Sequence, residues 1–438
     1  VQTAVTNSRA ATTVVRRGAG RAEQTVEADL CVIGAGISGV SAALEAARLG
    51  RRVALVDGLS RLGGQAVNSV IGTFAGLLSN GPSPYQFTYG IASDILRDLG
   101  ASGDLRLRPR FNTVMYDEAA LARWIDERVH AAGITVLLGS VLRGVERDGR
   151  RVRAVDLASR YGDVRVLADG FVDASGDAVI ACNADLPCRQ PAEGQVYGSQ
   201  KVVLEGIDEA RYPATDELLA RLAEKGDQYG VARKDGLANL FRGRGRAVLN
   251  MTHTETPLET VQAAQKAFEG KVAARRAVQF LQSEFPEAFG AARVRSFGLL
   301  GIRQTRWIVG RTQLTTDDLL SARRFPDAIA RTGWGIELHD QLETSIWEPL
   351  PEGHVHYIPF GSLTPPDVDN LVAAGRCIDG DVAALSSVRV MGPCIATGSA
   401  AAHALDLADA GSVHDIDLTA LQQRLNDNLH RTDPYIEP

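Results

Sequence analysis

At 438 residues the chain is too long for one ordinary core and suits one large and one smaller domain. Hydrophobic residues make up 45% and charged residues 23%, which excludes a disordered or fibrous protein. A net charge of −6 argues against nucleic acid or an anionic membrane as the main partner, and no apolar run approaches the ~20 residues of a membrane span.

Residues 1–27 are rich in Thr, Ala and Arg, lack a period, and read as an N-terminal arm. Arg16-Arg17 resembles a twin-arginine signal, but no apolar stretch follows it, so export is not expected. The five cysteines, Cys31, Cys182, Cys188, Cys377 and Cys394, are odd in number and have no C-x-x-C spacing. They support neither a disulfide framework nor a zinc site, and a reduced, cytoplasmic setting fits them.

Residues 30–33 form a short apolar run, as in a strand buried on both faces. Gly34, Gly36 and Gly39 follow as Gly-x-Gly-x-x-Gly, with Ile37 and Ser38 inside the turn. The pattern suits a tight turn, a pyrophosphate approach and close helix packing. An Ala-rich helix over 38–49 stops at Gly50, and its N-terminal amides would face phosphates. A second strand, 53–56, ends in Asp57, 57 − 34 = 23 residues after the first glycine. That is near the ~20 expected of a carboxylate on ribose hydroxyls. The unit predicts dinucleotide binding, FAD or nicotinamide. Arg61, Gly63 and Gly64 lie in the next loop, where a second close backbone approach is plausible.

Residues 71–110 read as an insertion with a helix at 89–99, and 116–132 as a helix with Leu121, Trp124, Ile125 and Val129 on one face. Strands follow at 134–138, 141–146, 151–157 and 164–167, and another buried strand leads into Asp173-Ala174-Ser175-Gly176-Asp177. Charged helices (216–224, 258–283) and strand candidates (195–204, 247–251) mark a change of character. Residues 370–375 are again a strand ending in glycine, and 392–407 an Ala/Gly-rich helix. The expected division is a discontinuous first domain, 28–184 and 355–410, a second, 185–354, and a tail, 411–438.

Three distant segments thus share one form, an apolar strand and then a polar glycine turn: 31–39, 171–177 and 371–376. An extended FAD needs all three. The chain resembles the FAD-dependent oxidoreductases of the glutathione-reductase-like superfamily of two-domain Rossmann flavoproteins. The resemblance rests on these segments and on Tyr357-Ile-Pro-Phe-Gly-Ser-Leu-Thr-Pro, Asp369-Asn-Leu-Val-Ala-Ala-Gly-Arg376-Cys, Ser387-Val-Arg-Val-Met-Gly-Pro-Cys-Ile-Ala-Thr-Gly398, Gly301-Ile-Arg-Gln-Thr-Arg306-Trp and Gly335-Ile-Glu-Leu-His-Asp340.

It implies an α/β fold: a Rossmann-like FAD-binding domain with a parallel sheet and small β-meander, plus an α+β substrate domain. It also implies that Gly34, Gly36 and Gly39 take the pyrophosphate and Asp57 the ribose, and that Arg61, Gly63 and Gly64 approach the phosphate and flavin side. Ala174, Gly176 and Asp177 would form the second turn, with Gly375, Arg376 and the loop Arg389, Val390, Met391, Gly392 closing over the flavin. A helix starting near Gly392 would aim its N-terminus at the ring. Arg389 would add to that field, or else bridge two loops. The sequence departs from the family pattern at Arg306-Trp307, Asp379-Gly-Asp381 and Gly392-Pro393.

His339, between Glu337 and Asp340, is the candidate acid/base, its pKa expected to be raised by the carboxylates. A hydrogen-bonded structural histidine is the alternative. Arg303 and Arg306 are expected on a strand with opposite facings, one meeting an anionic substrate and the other protein carboxylates. His356 and Tyr357 are candidates for substrate orientation or proton transfer, in competition with ordinary packing. No metal is expected, because the His354/His356 pair lacks further ligands.

No Gly-x-Ser-x-Gly elbow appears, and Thr332-Gly-Trp-Gly-Ile-Glu337 matches the halogenase signature Trp-x-Trp-x-Ile-Pro only in part. The expected activity is oxidation of a small organic molecule by hydride transfer to flavin, with oxygen or an external carrier as acceptor. A tailoring step in small-molecule biosynthesis suits the Arg/Ala/Gly-rich composition. The alternatives are a flavin monooxygenase, for which no second Gly-x-Gly-x-x-Gly holds a nicotinamide, and a non-catalytic flavoprotein module.

Overall fold

The computed structural model describes residues 23–108, 111–192 and 196–436. The expected arm over 1–22, and the readings that touch residues 110 and 195, lie outside them. The chain then runs β1 (Glu23–Ile33), α1 (Ile37–Arg48), β2 (Val53–Asp57), α2 (Glu118–Ala131), β3 (Thr135–Leu138), β4 (Ser140–Asp148), β5 (Arg151–Ser159) and β6 (Gly162–Asp173). Next come β7 (Ser199–Glu205), α3 (Thr215–Lys225), β8 (Leu237–Phe241), β9 (Arg246–Asn250), α4 (Thr260–Glu284) and β10 (Arg293–Gly301). Then come β11 (Ile336–Leu338), β12 (Ile346–Glu348), β13 (Leu371–Ala373) and α5 (Met391–Ala408), with further pieces between and after these elements.

The main sheet has the order β3-β2-β1-β6-β5-β4, with β13 also paired to β6. The contacts of β1 with β2, β2 with β3, β1 with β6 and β13 with β6 are parallel, and β4-β5-β6 is an antiparallel meander. A second, antiparallel sheet has the order β8-β9-β7-β10. This is the α/β Rossmann-like architecture with a second layer. Its second core is separate, built from Val202, Leu249, Leu218, Phe280 and their neighbours. Among the described residues no helix is long and apolar enough to cross a membrane.

Helix α1 is buried almost all round, between the main sheet and α5. Small residues make that possible. A Cβ at Gly39 would lie 1.8 Å from the Gly34 carbonyl oxygen, and one at Gly398 would lie 2.1 Å from that of Ser38. Gly34 itself needs φ +99°, with the Ala174 carbonyl pressed against it.

Several boundaries differ from the sequence reading. Residues 23–27, expected in the arm, are strand: Glu23 through Glu27 pair with Asp163 through Leu167, and the ladder supplies what apolar burial does not. The strand pieces at 164–167 and 171–173 are one continuous β6. Tyr116 ends a short strand, Thr113–Tyr116, and the helix begins after Asp117. The expected arginine strand breaks after Gly301, so Arg303 and Arg306 lie in irregular backbone. Residues of the expected second domain, among them Leu314, Leu319, Phe325 and Ile329, pack into the first core. The tail is docked there too, through Val413, Leu421, Leu425 and Leu429, the last three at i, i+4 spacing.

Asp117 joins the two layers. It is 6% exposed, and its Oδ1 accepts from the Ala119 and Ala120 amides as the N-cap of α2. Its Oδ2 accepts from Arg244 (2.9 Å) and Arg246 (2.6 Å) on the β8–β9 hairpin. Burial raises its pKa, but the Ala120 amide and the two arginines outweigh that and hold it below the ordinary value. Asp117→Ala should therefore lower unfolding stability by ~2–4 kcal/mol, from the cap and two half-buried ion pairs together. Asp117→Asn, which keeps the cap, should lose less. Because the folded pKa is depressed, the wild-type advantage over Asp117→Asn should be complete above about pH 4 and vanish as pH falls through the folded value. Urea unfolding across that range measures it.

Candidate active site

One cavity of about 870 Å³ is lined from both sheets. That is at the upper end of the ~300–1,000 Å³ of small-molecule sites. One limb holds the glycine turns. Gly34, Gly36, Ile37 and Ser38 line it where α1 begins, with Asp57, Gly64, Ala174, Gly176 and Asp177. A Cβ on Gly36 would meet nothing within 4 Å, so its missing side chain leaves the cavity open there. Asp57 accepts from the Ala35 amide and the Leu59 amide, each at 2.7 Å, and so holds the turn's shape. Burial raises its pKa against those two bonds. The N-terminus of α5, with Val390 as its cap and Met391 as its first residue, lines the same cavity beside Arg376 and Arg389. Two helix N-termini thus converge on it, a field that favours negative charge.

The remaining expected cofactor residues support this limb from behind. Gly39 and Gly375 are packing positions, the latter against Ser38, and Gly63 donates to the Ala35 carbonyl at 2.8 Å. Gly392 donates to Ala75 at 3.0 Å and fixes the start of α5. Arg61 is exposed and does not line the cavity.

The second limb is cationic. Arg108, Lys201, Arg233 and Arg303 line it with the carboxylates Asp235 and Glu337 and the aromatic side chains Phe111, Trp334 and Trp347. Arg303 donates to the Tyr197 carbonyl (2.6 Å) and to Ser199 Oγ (2.9 Å), both neutral acceptors. Burial, and then Arg233, push its pKa well below the ordinary guanidinium value. Lys201 is 8% exposed and donates to the Ile71 carbonyl at 3.0 Å. Burial, with Arg303 adding repulsion, brings its pKa down to about 7. Arg233, 5% exposed, pairs with Asp235 at 2.6 Å. Arg389 donates to the Glu337 carbonyl at 3.2 Å, and burial lowers its pKa to about 10.

His339 lies one layer behind, 1% exposed and off the cavity wall, its Nε2 3.1 Å from Glu337 Oε1. Its pKa is not raised as the neighbouring carboxylates suggested. Burial, and then Arg303, lower it to about 2, outweighing Glu337. Glu337 itself reaches the cavity.

Arg306 points away and donates to Cys182 Sγ at 3.2 Å, not to a carboxylate. His356 is fully buried and 3.0 Å from Ser387 Oγ, and burial lowers its pKa to about 3. Tyr357 lies beneath the Arg324 guanidinium at 4.9 Å. Neither lines the cavity, because their strand pairs with 328–332 inside the first core. Among the described residues no cluster of His, Cys, Asp and Glu could hold a metal ion.

Lys201, Arg233 and Asp235 were not singled out from the sequence. Lys201 sits in an apolar run, Gln200-Lys-Val-Val-Leu204, where a lone charge was a readable signal.

No curated protein sequence matches the chain. Among solved structures, a geranylgeranyl bacteriochlorophyll reductase-like protein from Thermoplasma acidophilum aligns with a TM-score of 0.50 at 13% identity, over 94% of this chain and 85% of that one. A p-nitrophenol 4-monooxygenase from Pseudomonas putida aligns with a TM-score of 0.46 at 10% identity, over 93% and 87%. A triple mutant of a flavin-dependent brominase aligns with a TM-score of 0.45 at 12% identity, over 91% and 84%. The profile of the FAD dependent oxidoreductase family matches residues 29–425. The cradle agrees: open space at Gly36, two helix N-termini and an acid at the ribose spacing all suit FAD. The chain belongs to the FAD-dependent oxidoreductase family and is an FAD-binding enzyme.

Proposed function

We propose that this enzyme oxidises a small organic anion, with FAD in the glycine-turn limb and the substrate in the cationic limb. One observation carries the reading: a single cavity joins the Gly36 cradle to Lys201, Arg303 and Glu337. In this reading the chain is a two-domain flavoprotein of the glutathione-reductase-like superfamily, and its antiparallel layer supplies the substrate-facing cations. When bound, the flavin supplies a two-electron acceptor for hydride, with oxygen or an external carrier as the final acceptor.

The chain's own residues do the rest. Gly34, Gly36 and the α1 N-terminus hold the pyrophosphate, and Asp57 the ribose. Arg389 and the α5 N-terminus favour negative charge beside Met391. Arg303 and Lys201 orient the anionic group, and Phe111, Trp334 and Trp347 offer an apolar wall. Three aromatic rings facing a set of cations suit a planar aromatic acid.

Gly36→Val should fill the open space at the first turn. The purified variant should be colourless while retaining its far-ultraviolet spectrum, and full flavin content in it would remove the cradle assignment.

Lys201 gives the substrate limb a pH signature. Its ammonium is present below about 7 and lost as pH rises through that value. Benzoate, used as a probe and followed by the perturbation of the flavin spectrum, should bind about 10-fold more weakly at pH 9 than at pH 6, the loss of one partly buried ionic contact. Lys201→Arg should flatten that fall, because a guanidinium keeps its charge. Anaerobic bleaching of the flavin by a panel of organic acids, faster than by NADPH, tests the dehydrogenase reading. Rapid NADPH bleaching that depends on a bound acid would favour the monooxygenase.

A further inference from the structure

Behind the cationic limb runs a chain of three polar contacts that ends at the cavity wall. The Leu342 carbonyl lies 3.1 Å from Nδ1 of His253, and Nε2 of His253 lies 2.9 Å from Nδ1 of His339. Nε2 of His339 lies 3.1 Å from Oε1 of Glu337. Both rings are buried, and His253 is further fixed by stacking on Tyr197 at 5.9 Å between centroids.

This chain holds fewer protons than contacts. Both ends, a carbonyl oxygen and a carboxylate oxygen, only accept. Three contacts need three protons, yet two neutral imidazoles carry one each. If Nδ1–H of His253 donates to Leu342, its Nε2 must accept from Nδ1–H of His339. Nε2 of His339 is then an acceptor facing the Glu337 carboxylate. If His339 instead donates to Glu337, the deficit moves to the Leu342 end. With Glu337 ionised, one contact always lacks a proton.

We infer that Glu337, His339 and His253 form a one-proton acceptor: Glu337 is the catalytic base at the cavity wall, and the two histidines are positioning residues that store its deficit. The inference rests on the reading of this cavity as the substrate site. A substrate O–H, N–H or C–H bond breaks, its proton bonds to the Glu337 carboxylate, and the electron pair stays on the substrate. The new Glu337 O–H donates to Nε2 of His339, and all three contacts are filled.

Charges around the chain poise it. Arg303 and Arg389 face Glu337, with Lys201 also in its field, while Arg233, Arg303 and Asp235 face the histidines. Burial alone would raise the Glu337 pKa, but an N–H donated by His339, in the arrangement that leaves the deficit at the Leu342 end, and then Arg303 and Arg389 hold it low. The carboxylate therefore rests ionised, with the unfilled contact waiting.

Holoprotein labelled with ¹⁵N at the histidine rings tests this without turnover. In wild type, the His253 and His339 nitrogens should shift together with one apparent pKa as the third proton enters. Glu337→Gln places an N–H donor against Nε2 of His339 and should lock both rings as Nδ1–H tautomers at every pH. That ionisation should disappear while flavin content is retained. His253→Phe removes the competing demand on Nδ1, so His339 should donate to the carboxylate through Nε2–H. The apparent proton affinity of the remaining pair should then fall at least about 10-fold, the worth of one buried hydrogen bond.

Independent titration of the two rings, tautomers indifferent to Glu337→Gln, or an unchanged proton affinity in His253→Phe would each overturn the inference. Failure of the substrate reading is separate: it would leave these nitrogen signals intact while no organic acid bleached the flavin.

Discussion

The molecule depends on a set of contacts at glycines too close for any side chain there. Gly34 lies against the Ala174 peptide, Gly39 against Gly34, Gly375 against Ser38, and Gly398 against the Ser38 carbonyl. These approaches stack β1, β6, α1 and α5 so that both helices begin at one cavity. Gly392 fixes the second start by donating to Ala75, with the Gly76 carbonyl 2.4 Å from where its Cβ would be. Without that packing the partial positive charges of the two helix ends would fall in different places, and their joint field would be lost. The fold thus positions backbone amides first of all in the cofactor limb.

The cationic limb works by the opposite means. Its groups are long charged side chains held away from bulk water, an arrangement that costs stability unless the charges are paired. Arg233 pairs with Asp235, and Arg303 and Lys201 lie in the field of Glu337, but the hydrogen bonds of Arg303 and Lys201 go to neutral oxygens. Such a surplus of buried positive charge lowers the stability of the empty protein and is relieved by an anion. Local conflict of this kind is what functional sites show when the rest of the sequence agrees with its fold.

The two limbs were unequally legible. Gly34, Gly36, Gly39 and Asp57 are local in sequence, and each has one steric or electrostatic reason to be there, so the motif could be read directly. Arg303, Arg389 and Glu337 lay in recognisable segments and do reach the cavity. His356 and Tyr357 followed the same logic and do not, because proximity in sequence to the Gly375 turn says nothing about which way a short paired strand faces. Lys201 and Arg233 come from elements whose pairing is long-range. The His253–His339 contact spans 86 positions and left no periodic trace. The sign of the His339 shift could not be read either, since neighbouring carboxylates are visible in a sequence and burial is not. The docking of the tail had a readable trace: Leu421, Leu425 and Leu429 carry a helical stripe in a segment otherwise polar.

The cationic limb and the proton-deficient chain are coupled by electrostatics. With the limb empty, Arg303 and Arg389 keep Glu337 ionised. An anion lodged on Arg303 and Lys201 cancels part of that field and adds its own repulsion to the carboxylate. Glu337 is therefore a weak base in the empty protein and a stronger one once the anion is in place. Its proton affinity rises when an acceptor is needed, and a neutral molecule of the same shape would not raise it. In the proposed function, selection for an anion and activation of the base are two consequences of the same few charges.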